Sequence, residues 1–144
     1  MARTQIGTII DELVTLQEAL TPTVSVSSFV VYDEAPENVS GLCWINFPGP
    51  GVLNEINEYV SHDNHTISCA CVKDRALLPQ DEKIMRPIIT QFPDAVAADV
   101  TLNGTVAHVD SIEYEYGLIE TLSGPDQLMF GVLFRVNFTC KDNL

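Results

Sequence analysis

From Leu128 through Phe130, Val132, Phe134, Val136 and Phe138 to Cys140, every second residue is large and apolar. The residues between them (Met129, Gly131, Leu133, Arg135, Asn137 and Thr139) are mixed in character. A period of two means a β-strand with one face buried and the other against something less apolar. The usual strand is only about five to six residues long, so this one is unusual. A long strand with a mixed outer face predicts a sheet that is one-sided within the monomer and meets a neighbour on its other side. The pattern points to assembly rather than to chemistry.

At 144 residues the chain is expected to be a single domain over residues 1–144, large enough for a core without metal or disulfide staples. An apolar fraction of 46% and a charged fraction of 19% describe a folded chain rather than a disordered one. No apolar run approaches a membrane span, and the amino terminus lacks a basic-then-apolar leader. The chain is therefore expected to begin near Met1 and to fold in a cytoplasm. In that setting Cys43, Cys69, Cys71 and Cys140 read as reduced core thiols, and Cys69-x-Cys71 lacks the second half a zinc site needs. The sequons at Asn38, Asn64, Asn103 and Asn137 carry no meaning without export.

The net charge of −13 is unevenly spread. Between Arg3 and Lys73 there is no basic residue but nine acidic ones, and between Arg86 and Arg135 none against seven. Four of the seven basic residues (Lys73, Arg75, Lys83 and Arg86) fall in one fourteen-residue stretch. Solvated acidic surface that maintains solubility is the plain reading. The sharper one is a basic patch that meets a neighbour's acidic patch in a head-to-tail ring. No extended basic surface exists to grip nucleic acid.

Ile6, Ile9, Ile10, Leu13, Leu16 and Leu20 recur at helical spacing, with Asp11, Glu12, Gln17 and Glu18 mostly opposite. They predict an amphipathic helix over about 4–20, capped by Thr4 and closed before Pro22. Val24, Val26 and Phe29 to Tyr32 read as an irregular strand, and Asp33 to Gly41 as a loop. Leu42 to Phe47 reads as a short strand stopped by Pro48-Gly49-Pro50-Gly51. The 52–60 stretch is weakly patterned, and His62-Asp63-Asn64-His65 reads as a turn tip before a strand over Thr66–Lys73. A second helical region spans about 79–98, with a kink or break expected at Pro87 or Pro93. Asn103-Gly104 marks a tight turn, followed by a strand over Val106–Tyr116 with a bulge near Val109. A loop over Gly117–Asp126 joins it to the final strand. The fold class is α+β: a single, mainly antiparallel sheet with two helices on one face and a long C-terminal β-hairpin.

Chemistry is sparse. Gly49 and Gly51 precede no phosphate-binding lysine, and no serine or cysteine sits in an activating motif. His62, Asp63 and His65 could ligate a metal on paper, but an exposed polar turn is the better reading. His108 reads as a packed or surface histidine, and Trp44 as core. Asp110, Glu113 and Glu115, with Glu120 nearby, form an acidic cluster. A catalytic pair would need contrasting environments, whereas Glu113 and Glu115 share one face, so a solvated surface is the leading interpretation. If that surface lined a pore, the same acids would repel a passing polyanion. No cofactor and no metal are expected.

The amino-terminal helix, the proline-rich loop after the first strand and the element order resemble the tail-terminator (tail completion) proteins of long-tailed bacteriophages. The most similar parts are Leu78 to Phe92, Asn103-Gly104-Thr105-Val106, Ile112-Glu113-Tyr114 and Phe130-Gly131-Val132-Leu133-Phe134. The resemblance covers most of the chain by element order, and Val52 to His65 is its least familiar part. It implies a non-enzymatic virion protein of the head-proximal tail, made in the host cytoplasm. Copies of it would form a hexameric ring that caps the tail tube, stops its growth and presents the head-joining surface. The implied partners are further copies, the tail-tube protein and a head–tail connector, with DNA passing through unbound and no membrane involved. Interface residues would be Lys83 and Arg86, together with Tyr32, Asp33, Glu34, Glu37, Glu120 and Asp126 from loops that order on assembly. Asp110, Glu113 and Glu115 would face the lumen. The alternatives are a head-closure or tail-tube subunit and, more distantly, a small enzyme built on Asp110 and Glu113.

Overall fold

The computed structural model describes residues 3–20, 29–33, 42–57, 59–73, 83, 85–120 and 128–143. Along the chain run α1 (Ile6–Ala19), β1 (Phe29–Tyr32), β2 (Leu42–Val52), β3 (Glu55–Asn57), β4 (Val60–Lys73), α2 (Ile88–Ala97), β5 (His108–Glu120) and β6 (Leu128–Asn143). The strands form one sheet in the order β1-β2-β4-β6-β5, with β3 paired to the start of β4. Among the described strands, only β1 and β2 pair in parallel. Both helices pack on one face, and β5 and β6 form the expected long hairpin, so the α+β reading holds.

The alternating run is β6, and it lies inside the sheet between β4 and β5. Its even-numbered side chains from Phe130 to Phe138 are buried with Trp44, Ile67, Cys69 and Cys71. Ile9, Ile10 and Leu13 of α1 and Ile88, Phe92 and Val96 of α2 close over them. Trp44, Phe92 and Phe134 meet ring to ring, with centroids 4.9 to 5.9 Å apart. Each such buried side chain contributes about 1.5–3 kcal/mol.

The opposite face corrects the expectation of a sheet one-sided within the monomer. Cys43, Ile45, Ala70, Val72, Ile119 and Met129 form a second buried cluster there, with Tyr32, Phe47 and Leu133 against it. The mixed residues of β6 are in fact sorted by position. Met129 and Leu133 lie over this cluster, whereas Arg135, Asn137 and Thr139 continue as a polar surface. All four cysteines are free and buried, as read. Burial pushes the Cys69 and Cys71 thiols well above their ordinary range.

Several local expectations change for identifiable reasons. Gln5, not Thr4, occupies the cap of α1 and makes no side-chain cap bond. Thr4 instead binds Asp142, its Oγ1 donating to Oδ1 at 2.6 Å and its N–H to Oδ2 at 3.1 Å. Gln17, assigned to the polar side of α1, is fully buried against Asn46. β2 continues through Pro48-Gly49-Pro50-Gly51, because β1 covers only Leu42 to Ile45 and the prolines sit on a free edge. Its register slips between Pro48 and Gly51.

The His62–His65 segment is not a turn. It lies within the continuous β4, paired to Lys141 through Phe138. The second helical region breaks where Pro87 predicts: Lys83 and Met85 are helical, the chain turns at Arg86–Pro87, and α2 then carries Pro93 inside it. Residues 79–82 lie outside the described ones. Asn103 (φ 56°) and Gly104 (φ 79°) make a left-handed turn, preceded by Leu102 at φ 46°. Val106 belongs to that turn, its N–H donating to the Thr101 carbonyl at 3.1 Å, so β5 starts at His108. The bulge falls between Val109 and Ser111, near the expected place. Gly117 to Glu120, expected in a loop, continue β5.

Candidate functional site

The predicted interface residues scatter. Lys83 and Arg86 are both exposed beside the break before α2. Tyr32 ends β1 and is half-buried against the second cluster rather than in a loop, and Asp33 beyond it is exposed. Glu120 is the last residue of β5, opposite Leu128. Glu34, Glu37 and Asp126 lie outside the described residues.

The acidic cluster falls on the polar part of the outer face. Glu113 and Glu115 are exposed there, and Glu115 Oε1 accepts from Arg135 at 3.0 Å. Asp110 sits at the bulge, accepting from Thr139 Oγ1 at 2.8 Å and lying 2.6 Å from His108 Nε2. Thr66, Asn137 and Ser111 continue the lattice across three strands: Thr66 Oγ1 donates to Asn137 Oδ1, and Asn137 Nδ2 to Ser111 Oγ. Asp110 also borders a shallow depression of about 230 Å³ with Pro50, Gly51, Asn64 and Thr66, which Glu113 does not reach. The three acids therefore make one solvated, cross-braced surface. His62 and His65, three apart in a strand, point to opposite faces and cannot share an ion. Among the described residues, no group of three or more His, Cys, Asp or Glu is placed to hold a metal.

What sequence reasoning missed is apolar and lies at the two ends of the sheet. At one end, Val52, Leu53, Ile56 and Tyr59 are 57–65% exposed where β2, β3 and the start of β4 meet. At the other, Tyr116 and Leu118 on β5 are exposed in the rows that hold Cys71 and Lys73 of β4, and Tyr114 stands just before them. These β5 residues lie on the helix face, but neither helix reaches far enough to cover them. Tyr116 meets Phe130 edge-on, with centroids 5.5 Å apart. The signal for the β5 strip was the Tyr-x-Tyr-x-Leu alternation itself, which periodicity assigns equally to core or to interface.

The tip is held at Asn54. Asp63, fully buried, accepts from Arg3 Nε at 2.9 Å and from the Asn54 N–H at 2.9 Å. The His62 N–H returns a bond to the Asn54 carbonyl at 2.8 Å. One carboxylate thus ties the amino-terminal segment and the tip to the same strand. An ion pair of this kind is costly to bury, and removing one partner costs several kcal/mol, about 3–5.

No family model matches the chain, and a search of curated proteins found no match. No helix is long and apolar enough to cross a membrane among the described residues.

Proposed function

We propose that this chain is a structural subunit of a bacteriophage tail that assembles into a ring, caps the tail tube, ends its polymerisation and offers the surface to which the head joins. The observation that carries the reading is the exposure of seven large apolar side chains, Val52, Leu53, Ile56, Tyr59, Tyr114, Tyr116 and Leu118, on a chain whose two cores are already filled. Exposed apolar patches of this kind, one at each end of the sheet, mark surfaces that are covered in the working assembly. The element order that resembles tail-terminator proteins gives the assembly its identity. The reading asks for no catalytic step, cofactor or metal, and it places Asp110, Glu113 and Glu115 along the conduit, where they repel passing DNA.

The test is to add the purified protein to growing tail tubes and measure their lengths by electron microscopy. Addition should stop elongation and leave a collar on one end. Particles made without the protein should carry overlong or unjoined tails. If no tubes form at all without it, a tube-subunit role replaces this one. Unchanged tube lengths together with normal particles refute the reading.

A further inference from the structure

We infer that the edge of β5, with the hollow beside it, takes an extended segment of a partner protein as an added strand, its residues alternating apolar and basic. The inference stands apart from the ring reading and needs only the groove between α2 and β5. β5 is the last strand of the sheet. Its edge begins under cover, where the Val109 N–H donates to the Val100 carbonyl at 2.9 Å. Beyond the bulge, Ser111 to Glu115 pair with β6 without a slip in register, and no described strand lies on their other side. That stretch is about 17 Å long. Next to it, α2 and β5 enclose a hollow of about 150 Å³, lined by Pro93, Val96, Ala97, Val100, Val109 and Ile112. The hollow has room for one large apolar side chain.

The two faces of this edge dictate what can pair with it. Ile112 and Tyr114 stand on the helix face, in the rows of Val136 and Phe134, and Tyr114 is exposed. Glu113 and Glu115 stand on the outer face and are both exposed. Side chains opposite each other in neighbouring strands interact, and like charges there are unfavourable. An added strand therefore needs apolar side chains on the helix face and cations on the outer one, which is alternation along its sequence. The surroundings agree. No lysine or arginine occurs from Pro87 to Phe134, and Asp110 borders the hollow itself. Of the basic side chains around the groove, His108 is engaged by Asp110 and Arg135 by Glu115. Arg86 precedes the other end of α2, and Lys73 lies two strands away.

The same charges argue against a second copy of this chain. Antiparallel pairing of two β5 edges would bring Glu113 and Glu115 of one copy against those of the other. The opposite edge of the sheet is no substitute, because Pro48 and Pro50 lie along it. The bulge between Val109 and Ser111 and the left-handed Gly117 (φ 129°) limit the usable edge of β5 to one short strand. In this mode main-chain bonds supply affinity, and the hollow selects an apolar side chain.

The probe is a fluorescent peptide of about eight residues alternating lysine and valine, long enough to span the edge. Two controls carry the same charge: one is N-methylated throughout, which removes its backbone donors, and one alternates lysine and serine. By fluorescence anisotropy the first peptide should bind at least about tenfold more tightly than either control. Hydrogen exchange on the complex should show new protection within Ser111–Glu115. Ala97→Arg, which fills the mouth of the hollow from an exposed position, should weaken binding about tenfold with circular dichroism unchanged, and so should Glu113→Lys. Equal binding of all three peptides means attraction to net negative charge alone and overturns the inference. Absence of binding, or protection away from β5, also overturns it. Protection of Ser111–Glu115 that rises with protein concentration without peptide makes a second copy the occupant, which overturns it too. None of these outcomes bears on tube capping, so the ring reading stands or falls by its own test.

Discussion

The buried amide pair between α1 and β2 makes a demanding test of how the first helix is positioned. Gln17 Nε2 donates to Asn46 Oδ1 at 2.7 Å, and Asn46 Nδ2 donates to Gln17 Oε1 at 2.7 Å. Asn46 Nδ2 also donates to the Tyr32 carbonyl at 2.9 Å, and both side chains are 0% exposed. Gln17→Leu deletes two hydrogen bonds of about 1 kcal/mol each and leaves Asn46 Oδ1 without a donor, at about 1–3 kcal/mol. Added apolar burial recovers part of this, so a net loss of about 2–3 kcal/mol is expected. Asn46→Leu should cost more, about 4–7 kcal/mol by the same count, because it deletes three bonds and strands the Gln17 amide and the Tyr32 carbonyl together. The double variant removes both amides and leaves only the Tyr32 carbonyl unpaired. It should therefore be milder than the sum of the singles by about 2 kcal/mol or more, well beyond the ~0.5 kcal/mol scatter of independent sites. Urea denaturation of the four proteins measures the cycle, and each kcal/mol should move the thermal midpoint by roughly 3 °C in a chain of this size. Additivity within ~0.5 kcal/mol would refute the claim that these amides act as a reciprocal pair.

Three further outcomes are expected. A side chain at Gly131 would meet the Cys71 carbonyl oxygen and lie 2.8 Å from Val72 Cα, so Gly131→Ala forces β4 and β6 apart and should cost more than about 3 kcal/mol. Gly7→Ala, with open space at its Cβ, should instead stabilise α1 by about 0.5–1 kcal/mol, and equal melting of the two variants would disprove the β4–β6 close approach. Burial, with Asp142 and Asp63 adding to it, pushes the Cys140 thiol up to about 11, so the folded form keeps a proton that the unfolded chain releases above its ordinary thiol range. Its contribution is intact below that range and is lost as pH rises towards 11, Cys69 and Cys71 acting in the same direction. Stability should fall over that window, and less steeply in Cys140→Ala; identical slopes would count against a buried Cys140.

How far the fold could be read depended on whether a residue's partner was local. β6 and α1 were legible because their periodicities run along the chain itself, and the break at Pro87 because proline removes a donor wherever it stands. The continuation of β2 through two prolines was not legible, since it depends on β1 stopping at Tyr32 and leaving that edge free. Asp63 looked like part of a turn because its partner Arg3 is sixty residues away. Gln17 looked solvent-facing because Asn46 lies beyond the reach of helical spacing. For the candidate site, the apolar residues were visible in the sequence, but placing them at opposite ends of the sheet required knowing that residues 60–73 are one strand. Tyr114, Tyr116 and Leu118 share the face their alternation predicts, yet only the reach of the helices decides that they stay uncovered.

The place of β6 in the sheet has a consequence for when the protein can work. The latest of the described strands in chain order is inserted between β4 and β5, and its side chains contribute to both cores. Pairing Val60 with Asn143 ties the sheet together only after all the preceding strands have been synthesised. Such long-range pairing slows folding. A chain that stops before β6 lacks the strand that joins β4 to β5 and cannot complete either core.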